Sequence, residues 1–399
     1  MSNMKRREPS GPAAGRKRKS ELRHSITETL RRKLAEEGLR AGTKLPSLRE
    51  LAKDLNVSTM TVLRAIRTLE SEGYLCRIPA VGIFISQTPA PSQEVPTECT
   101  VAFAAVDLKS AFDIEIAHGI EKACQQYGWE VRIFDGQDDA GHCARNLRRL
   151  QQSGAGGAII LPLCDPESND TLVRLKSANF SFVLVDRAAP GIKADLVESN
   201  HEGGAYLAAK YCIELGHTQL LMLTPVPAAV SSVADRIRGF QRALSDAHIQ
   251  ANQDNIVWVD DKLALTGRLE EQRWLGGYKA ILPVLQNIQP PVAVVAVEDR
   301  TGWGVYQACR EAGLRIPEDV SVICFDNTEI ARGMTPPMAA VAQRTADIGR
   351  LAVDLLRKRI QSARGQRQSP EVYTHMVVDV DLVEAQSVSR VSSIQALTP

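Results

Sequence analysis

A chain of 399 residues is longer than one hydrophobic core ordinarily organises, and an apolar fraction of 44% is that of a globular protein. Its net charge of +1 hides an asymmetry: residues 1 to 86 carry 18 Lys plus Arg against 9 Asp plus Glu, and the remainder carries 30 against 38. A basic front predicts a polyanion partner and an acidic body predicts a separate task, while no apolar run nears the ~18 residues of a membrane span.

The N-terminus has basic residues but no following apolar segment, so it does not read as a secretory signal. The expectation is a cytosolic chain with no membrane partner. Eight cysteines are scattered without C-x-x-C pairing, which predicts buried, reduced thiols and no disulfide or metal role.

Residues 1–19, with seven Lys or Arg and almost no large apolar side chains, predict a disordered tail able to touch phosphates. From Ser20, Leu22, Ile26, Leu30 and Leu34 share one stripe, so the spacing predicts a helix ended by Gly38. Ser47 with Glu50 three residues on is a capping box and opens a short second helix. After the turn at Asn56, Val57 and Ser58, a third helix places Val62, Ala65, Ile66 and Leu69 on a core-facing stripe. The runs LCRI and GIFIS flank Pro79 and predict a hairpin. Two helices joined by a tight turn and followed by a hairpin make a winged helix-turn-helix over residues 20–86.

The stretch LPSLRELAKDLNVSTMTVLRAI, continued by LESEGYL, closely resembles the GntR family of bacterial transcription regulators. That resemblance implies a double-stranded DNA operator as partner and assigns a DNA contact to Arg49. Helical phase exposes Ser58, Thr59, Thr61, Leu63, Arg64 and Arg67 on the third helix, and Arg77 in the wing is placed to reach phosphate. Thr59 and Leu63 stand where many members of the family carry arginine, which removes two guanidinium contacts to guanine. The wing tip retains only Gly82, against a glycine-rich tip in the family.

Residues 87–98 hold a proline-rich linker that cannot form a regular helix. Beyond it, eight continuous apolar runs alternate with amphipathic helical patterns: TVAFAAV, EVRIFD, GAIILP, SFVLVD, QLLMLTP, NIVWVD, PVAVVAV and VSVICFD. Continuous runs predict parallel strands covered on both faces, and their number predicts two α/β sheets.

Segments including GGAYLAAKYCIELGHTQLLMLT, DRIRGFQRAL and REAGLRIPEDVSVICFDN resemble the LacI/GalR effector domain over about residues 99–388, leaving 389–399 as a tail. The resemblance implies a two-lobed type I periplasmic-binding-protein-like fold of parallel sheets flanked by helices, a homodimer, and a small-molecule effector in the cleft. A GntR-type head on such a body resembles the arabinose repressors in architecture. The helix that joins head to body in LacI-type repressors is replaced here by the prolines of the linker.

In open parallel sheets ligands bind beyond the carboxyl ends of strands, which nominates Asp107, Asp186, Glu298, Asp299 and Asp326, with Phe112 as an apolar face for a sugar ring. The resemblance assigns contacts to Arg236, Asp326 and Gln343, and extends to Asp186 and Glu298. Carboxylates beside a guanidinium suit paired sugar hydroxyls, and a nucleoside or other metabolite stays open as the alternative. Nucleotide-loop, metalloprotease and serine-hydrolase motifs are absent, and the seven histidines lack metal-ligand spacing. The expectation is a ligand-controlled transcription regulator, a repressor, that is no enzyme and needs no cofactor or metal.

Overall fold

The structure is a computed structural model that describes residues 29, 45–55, 57–71, 75–78, 82–85, 99–225, 230–259, 273–364 and 372–391. The tail 1–19, the linker 87–98 and, apart from Thr29, the first helix lie outside the described residues. The chain divides between residues 95 and 96 into two compact units.

In the first unit, α1 (Leu48–Asp54) begins with the expected capping box: Glu50 N donates to Ser47 Oγ at 3.3 Å and Ser47 N donates to Glu50 Oε2 at 2.7 Å. A turn leads to α2 (Thr59–Ser71), whose Val62, Ala65, Ile66 and Leu69 are buried against Leu51 and Ala52 of α1. β1 (Leu75–Ile78) and β2 (Gly82–Ile85) pair antiparallel, Leu75 opposite Ile85. Leu45 N donates to Ile83 O at 2.8 Å, which ties the segment before α1 to the hairpin. Burial of Leu45, Leu75 and Ile83 in the same cluster gives this small unit its own core.

The second unit has two six-stranded sheets. The N-terminal lobe uses β3 (Thr100–Ala105), β4 (Glu130–Asp135), β5 (Gly157–Ile160), β6 (Phe182–Val185), β7 (Asp195–Ser199) and β13 (His375–Val378). They run parallel in the order β13-β7-β6-β5-β3-β4. The C-terminal lobe uses β8 (Leu220–Pro225), β9 (Ile256–Val259), β10 (Val292–Ala296), β11 (Val320–Asp326), β12 (Ala339–Ala342) and β14 (Asp381–Val383). Their order is β14-β12-β11-β10-β8-β9, and only β14 is antiparallel to its neighbour.

Alternation along β10 explains the unbroken apolar runs. Val292, Val294 and Ala296 enter one core, packed on α8 (Arg273–Leu285) and α9 (Asp299–Ala312). Ala293 and Val295 enter the other, packed on α6 (His201–Glu214) and α7 (Ser231–Asp246). With both faces covered, every position of the strand is removed from water, and each large apolar side chain adds about 1.5–3 kcal/mol. The short α10 (Glu329–Gly333) follows β11; in the N-terminal lobe α3 (Ala111–Gln126) packs on α11 (Thr345–Arg364), and α4 (Ala140–Arg149) on α5 (Pro166–Ser177). A Cβ on Gly119 of α3 would stand 2.4 Å from Ala346 O, so only glycine permits that approach.

All eight apolar runs form strands, but β7, β12, β13 and β14 were not foreseen. They are short, and β7 carries charge inside: Asp195 is 2% exposed and ion-paired with Arg359, and Glu198 accepts from His375 Nε2 at 2.6 Å. Paired charges replaced the apolar signal. The body also continues past residue 388, because Ser389 N donates to Ser321 Oγ at 3.2 Å and Val391 N to Leu215 O at 2.8 Å. Seven cysteines, Cys99 through Cys324, are buried free thiols.

The chain crosses between lobes at three places: from β7 into α6, from β12 into α11, and from β13 into β14. Arg344 and Asp381 clamp two of these crossings with parallel 2.8 Å bonds.

Candidate DNA-contact face and effector cleft

Ser58 sits at the start of α2, where its Oγ accepts from Thr61 N at 3.2 Å and lies 2.7 Å from Thr61 Oγ1. Both hydroxyls are therefore engaged in fixing the helix start. Thr59, Arg64 and Arg67 are exposed, whereas Thr61 and Leu63 are half-buried. Thr61 and Leu63 were both expected on the exposed face; Thr61 is turned to the helix start by its bonds with Ser58, and Leu63 follows Val62 of the core-facing stripe directly. The side chains of Arg49 and Arg77 lie outside the described residues.

Sequence reasoning passed over Met60, which is 56% exposed. Met60, Arg64 and Arg67 are spaced i, i+4, i+7, so they share the face opposite the core. That spacing was the available signal.

In the body, seven of the nominated ligand residues line one cavity of about 580 Å³: Asp107, Phe112, Asp186, Arg236, Glu298, Asp326 and Gln343. Asp299 does not. Its carboxylate turns away to accept from Thr328 N at 3.0 Å and from the Thr328 hydroxyl, and so fixes the turn after β11. Trp303 lies against Trp274, ring centroids 5.8 Å apart, and also stands outside the lining.

Strand ends create the rim. Asp186 after β6, Asp326 closing β11 and Asp138 after β4 adopt positive φ of 67°, 87° and 51°. Asp tolerates that region better than most residues, and non-glycine residues held there concentrate at functional sites.

Arg236 is the centre of the polar set. It is 7% exposed, stacks 4.2 Å from the Phe325 ring centroid, and donates from NH1 to Val297 O at 2.6 Å and from NH2 to His201 Nδ1 at 3.2 Å. A guanidinium only donates, so Nδ1 of His201 is unprotonated and Nε2–H donates to Asp186 O at 2.8 Å. Burial and the charge of Arg236 push the imidazole down to about 4, consistent with a neutral ring. Asp186 of the N-terminal lobe is thus joined through His201 at a crossing to Arg236 of the C-terminal lobe. His201 was not foreseen, since a lone histidine before a helix carries no motif.

The cavity carboxylates divide by environment. Burial raises Asp113 to about 7 against two backbone donors, Val106 N at 3.0 Å and Asp107 N at 2.9 Å. Burial, then the neighbouring charge of Asp299, raises Asp326 to about 8. Burial acts on Asp186 in the same direction, yet Arg187, His201 and Arg236 outweigh it and hold that carboxyl below its usual value. Arg187, whose Nε lies 2.7 Å from Asp186 Oδ2, lines the cavity and was also missed although it directly follows the nominated Asp186, as were the lining carboxylates Asp113, Asp138, Asp139 and Asp165.

Four buried polar atoms of the lining have no hydrogen-bond partner: Arg236 Nε, Asp186 Oδ1, Gln343 Oε1 and Asp165 Oδ2. A buried group left unsatisfied costs about 1–3 kcal/mol, so these atoms mark where a ligand would bond. The groups can bind and orient a polar molecule. Among the described residues no cluster of His, Cys, Asp and Glu could hold a metal ion.

Residues 22–85 match the family of bacterial regulatory proteins of the gntR type, and residues 209–379 match the periplasmic binding protein-like domain. The chain thus joins a DNA-binding head of the gntR type of bacterial regulatory proteins to a periplasmic binding protein-like body. The regulator is 27% identical over 344 residues to the HTH-type transcriptional repressor PurR of Aliivibrio fischeri, covering 84% of this chain and 98% of that protein. It is 27% identical over 329 residues to the ribose operon repressor of Escherichia coli K12, covering 81% and 96%.

Solved structures share the fold of the body. A LacI family regulator from Enterococcus faecium with bound ribose superposes with a TM-score of 0.58 at 23% identity, over 73% of this chain and all of the other. The regulator CelR in complex with cellobiose gives 0.61 at 21%, over 86% of this chain and all of the other. No described helix of the regulator is long and apolar enough to cross a membrane.

Proposed function

We propose that the regulator is a cytosolic, homodimeric repressor whose operator binding is controlled by a small carbohydrate held in the cleft of its body, and that it catalyses no reaction. The observation that carries this reading is the convergence of Arg236 Nε, Asp186 Oδ1 and Gln343 Oε1, buried and unpartnered, on one cavity beside Phe112. With Asp165 Oδ2, also buried and unpartnered on the lining, one donor and three acceptors suit hydroxyls, which both donate and accept, and an aromatic face suits the C–H side of a sugar ring. Relatives named as repressors, and similar folds carrying ribose and cellobiose, support the same class of effector.

Binding favours one arrangement of the lobes because the polar set has members in both. Arg236 and Asp326 belong to the C-terminal lobe, and Asp186 and Asp107 close the N-terminal one. A ligand that bonds to both lobes stabilises their approach, and it shifts operator affinity only by its preference for that arrangement.

The dimer reading rests on an apolar face of the N-terminal lobe. Ile114 of α3 and Ile133 of the edge strand β4 are 40% and 44% exposed and line one groove with Leu108 and Trp129. Trp258, on the edge strand β9 of the other sheet, is 37% exposed.

In the head, α2 is the element that enters the major groove, with Thr59, Arg64 and Arg67 forward and Arg49 and Arg77 as flanking contacts.

The test is a thermal-shift screen of the full chain against ribose, arabinose, glucose, cellobiose, their amino and phosphorylated forms, and purine and pyrimidine nucleosides, followed by operator titration with each stabilising compound. A native-state ligand raises the melting temperature in proportion to its occupancy. Stabilisation by a sugar that also changes operator affinity supports the reading. A screen in which nucleosides stabilise and no sugar does would overturn it.

A further inference from the structure

The parallel strands of the N-terminal lobe aim their carboxyl ends at the cleft, so their amino ends form the far end of the lobe. The chain enters the body there, where Cys99 leads into β3. The helices α4, α5 and α11 run back toward the same end, and Arg359 of α11 meets Asp195 at the start of β7.

That end is basic, although the body as a whole carries 30 Lys plus Arg against 38 Asp plus Glu. Lys176 Nζ and Arg359 Cζ stand 4.7 and 4.9 Å from the centroid of one ring, that of Tyr373, and the Lys176 ammonium also donates to Lys193 O. Arg149, Arg174, Lys193 and Lys358 are exposed at the same end. The acids there are largely engaged: Asp195 pairs with Arg359, Glu167 with Arg148, and Asp354 accepts from the Tyr127 hydroxyl and pairs with Arg350. On the β4 side, exposed Glu121 and Glu130 are matched in number by Lys122 and Arg132. Asp170, one turn before Arg174, is exposed, and three helix C-termini add about half a negative charge each. Arg149, Arg174, Lys176, Lys193 and Lys358 outweigh both, so the end stays positive.

The tether decides what meets it. Residues 87–98 reach no more than ~40 Å even fully extended, and they join this end to a head of the gntR regulatory type. A duplex held by the head therefore lies within that reach, and it presents one negative charge per ~1.7 Å of its axis.

We infer that the amino end of the N-terminal lobe is a second DNA surface, one that takes the phosphates of the duplex flanking the head's site and reads no sequence. The Tyr373 ring holds the Lys176 ammonium in place, so its ordering is settled in folding and not at binding. The inference is independent of what the cleft holds.

The experiment titrates the full chain with a duplex of about 60 base pairs and arbitrary sequence, from about 50 to 200 mM salt. Two triple variants lose the same charge. One changes Arg174→Gln, Lys193→Gln and Lys358→Gln; the other changes Lys210→Gln, Lys279→Gln and Arg310→Gln, all exposed on the C-terminal lobe. Each lost phosphate contact lowers the salt slope by about 0.9, so the first triple should lower it by about 2 to 3 and weaken binding at least about tenfold. The second triple should change neither. An unchanged slope in the first triple overturns the inference, and so does an equal loss in both, because net charge acting at a distance would then explain it. If the first triple does not fold, Lys193→Gln against Lys279→Gln makes the same comparison, with an expected slope difference of about 1.

Discussion

Arg64 and Arg67 stand exposed on α2, whereas Arg236 lies buried with its ring partner, its carbonyl and its histidine already in place. The first pair must be ordered when DNA arrives, so part of their attraction is offset by lost side-chain freedom. The entropy of ordering Arg236 was spent in folding, so a ligand meets a preformed donor. Exposed cations suit a polyanion that supplies its own dense charge; a buried, half-satisfied set suits discrimination among small molecules. The head and the body are also separate compact units with separate cores.

That separation is broken most forcefully by a cavity in the smaller core. Ile66 is fully buried among Leu51, Val62 and Leu69, so Ile66→Ala is expected to cost about 2–5 kcal/mol. Two independent units predict loss of the head's melting transition while the body's transition and its ligand-induced shift persist. A single transition that moves as a whole would show that the units are coupled.

A comparable loss is expected in the cleft from Arg236→Ala. Removing a guanidinium that neighbours Asp186 and Asp326 strips the C-terminal wall of the one cation that lines it among the described residues, and truncating a buried charged partner costs about 2–5 kcal/mol. Calorimetry should show effector affinity weakened at least about thirtyfold. Wild-type affinity in this variant would remove Arg236 from the ligand's contacts.

On the exposed side the effects are smaller. Arg64→Ala and Arg49→Ala are each expected to cost about 1–3 kcal/mol of operator binding if they reach base edges, and to lower the salt dependence if they reach phosphate. Met60→Ala sharpens the comparison, because Met60 shares the face of Arg64 and Arg67 and can contact only apolar base surface such as a thymine methyl. A reduced preference at one A·T position, with unchanged salt slope, is the expected signature.

The head was more legible than the cleft for a physical reason. Ser47, Glu50 and the stripe from Val62 to Leu69 act over three or four residues, so spacing alone reveals them. The apolar strands were legible because burial on both faces leaves an unbroken run. The cleft is assembled from strand ends far apart in sequence, so seven nominated residues converge while Asp299 turns to Thr328. Nothing in the order of residues distinguishes Asp299 from Glu298; the direction of the first turn of α9 decides it. His201 was invisible because its role comes from Asp186 and Arg236, 15 and 35 residues away.

Acidity offers a way to separate the two units again. Asp113 and Asp326, with folded values of about 7 and 8 against an ordinary 3.8, hold protons in the folded body that the unfolded chain has released. Their contribution is complete at low pH and is lost as pH rises through those folded values. His201, lowered to about 4 from 6.5, acts in the opposite sense only below pH 6.5. Between pH 6.5 and 8.5 the melting temperature of the unliganded body should therefore fall. Asp326→Asn, which still accepts from Gln343, should flatten that fall; an unchanged slope would mean that Asp326 does not titrate there.

The smallest expected effect is local to the head. In α1, Ser47 Oγ accepts from Glu50 N, and the Glu50 carboxylate returns the bond to Ser47 N, so two helix-end donors are satisfied together. These bonds hold the Glu50 carboxyl below its usual value even though it is exposed. Its contribution is thus present at neutral pH and disappears as pH falls through the lowered value. Ser47→Ala removes one acceptor and leaves Glu50 to solvent, a loss of about 1 kcal/mol. The double variant with Glu50→Ala should cost less than the sum of the single changes, because each residue's bond depends on the geometry the other fixes. Both changes should move the head's melting transition and leave the body's ligand affinity where it was. Strict additivity would show that the reciprocal bonds act independently, and a change in ligand affinity would show that α1 of the head is felt in the cleft.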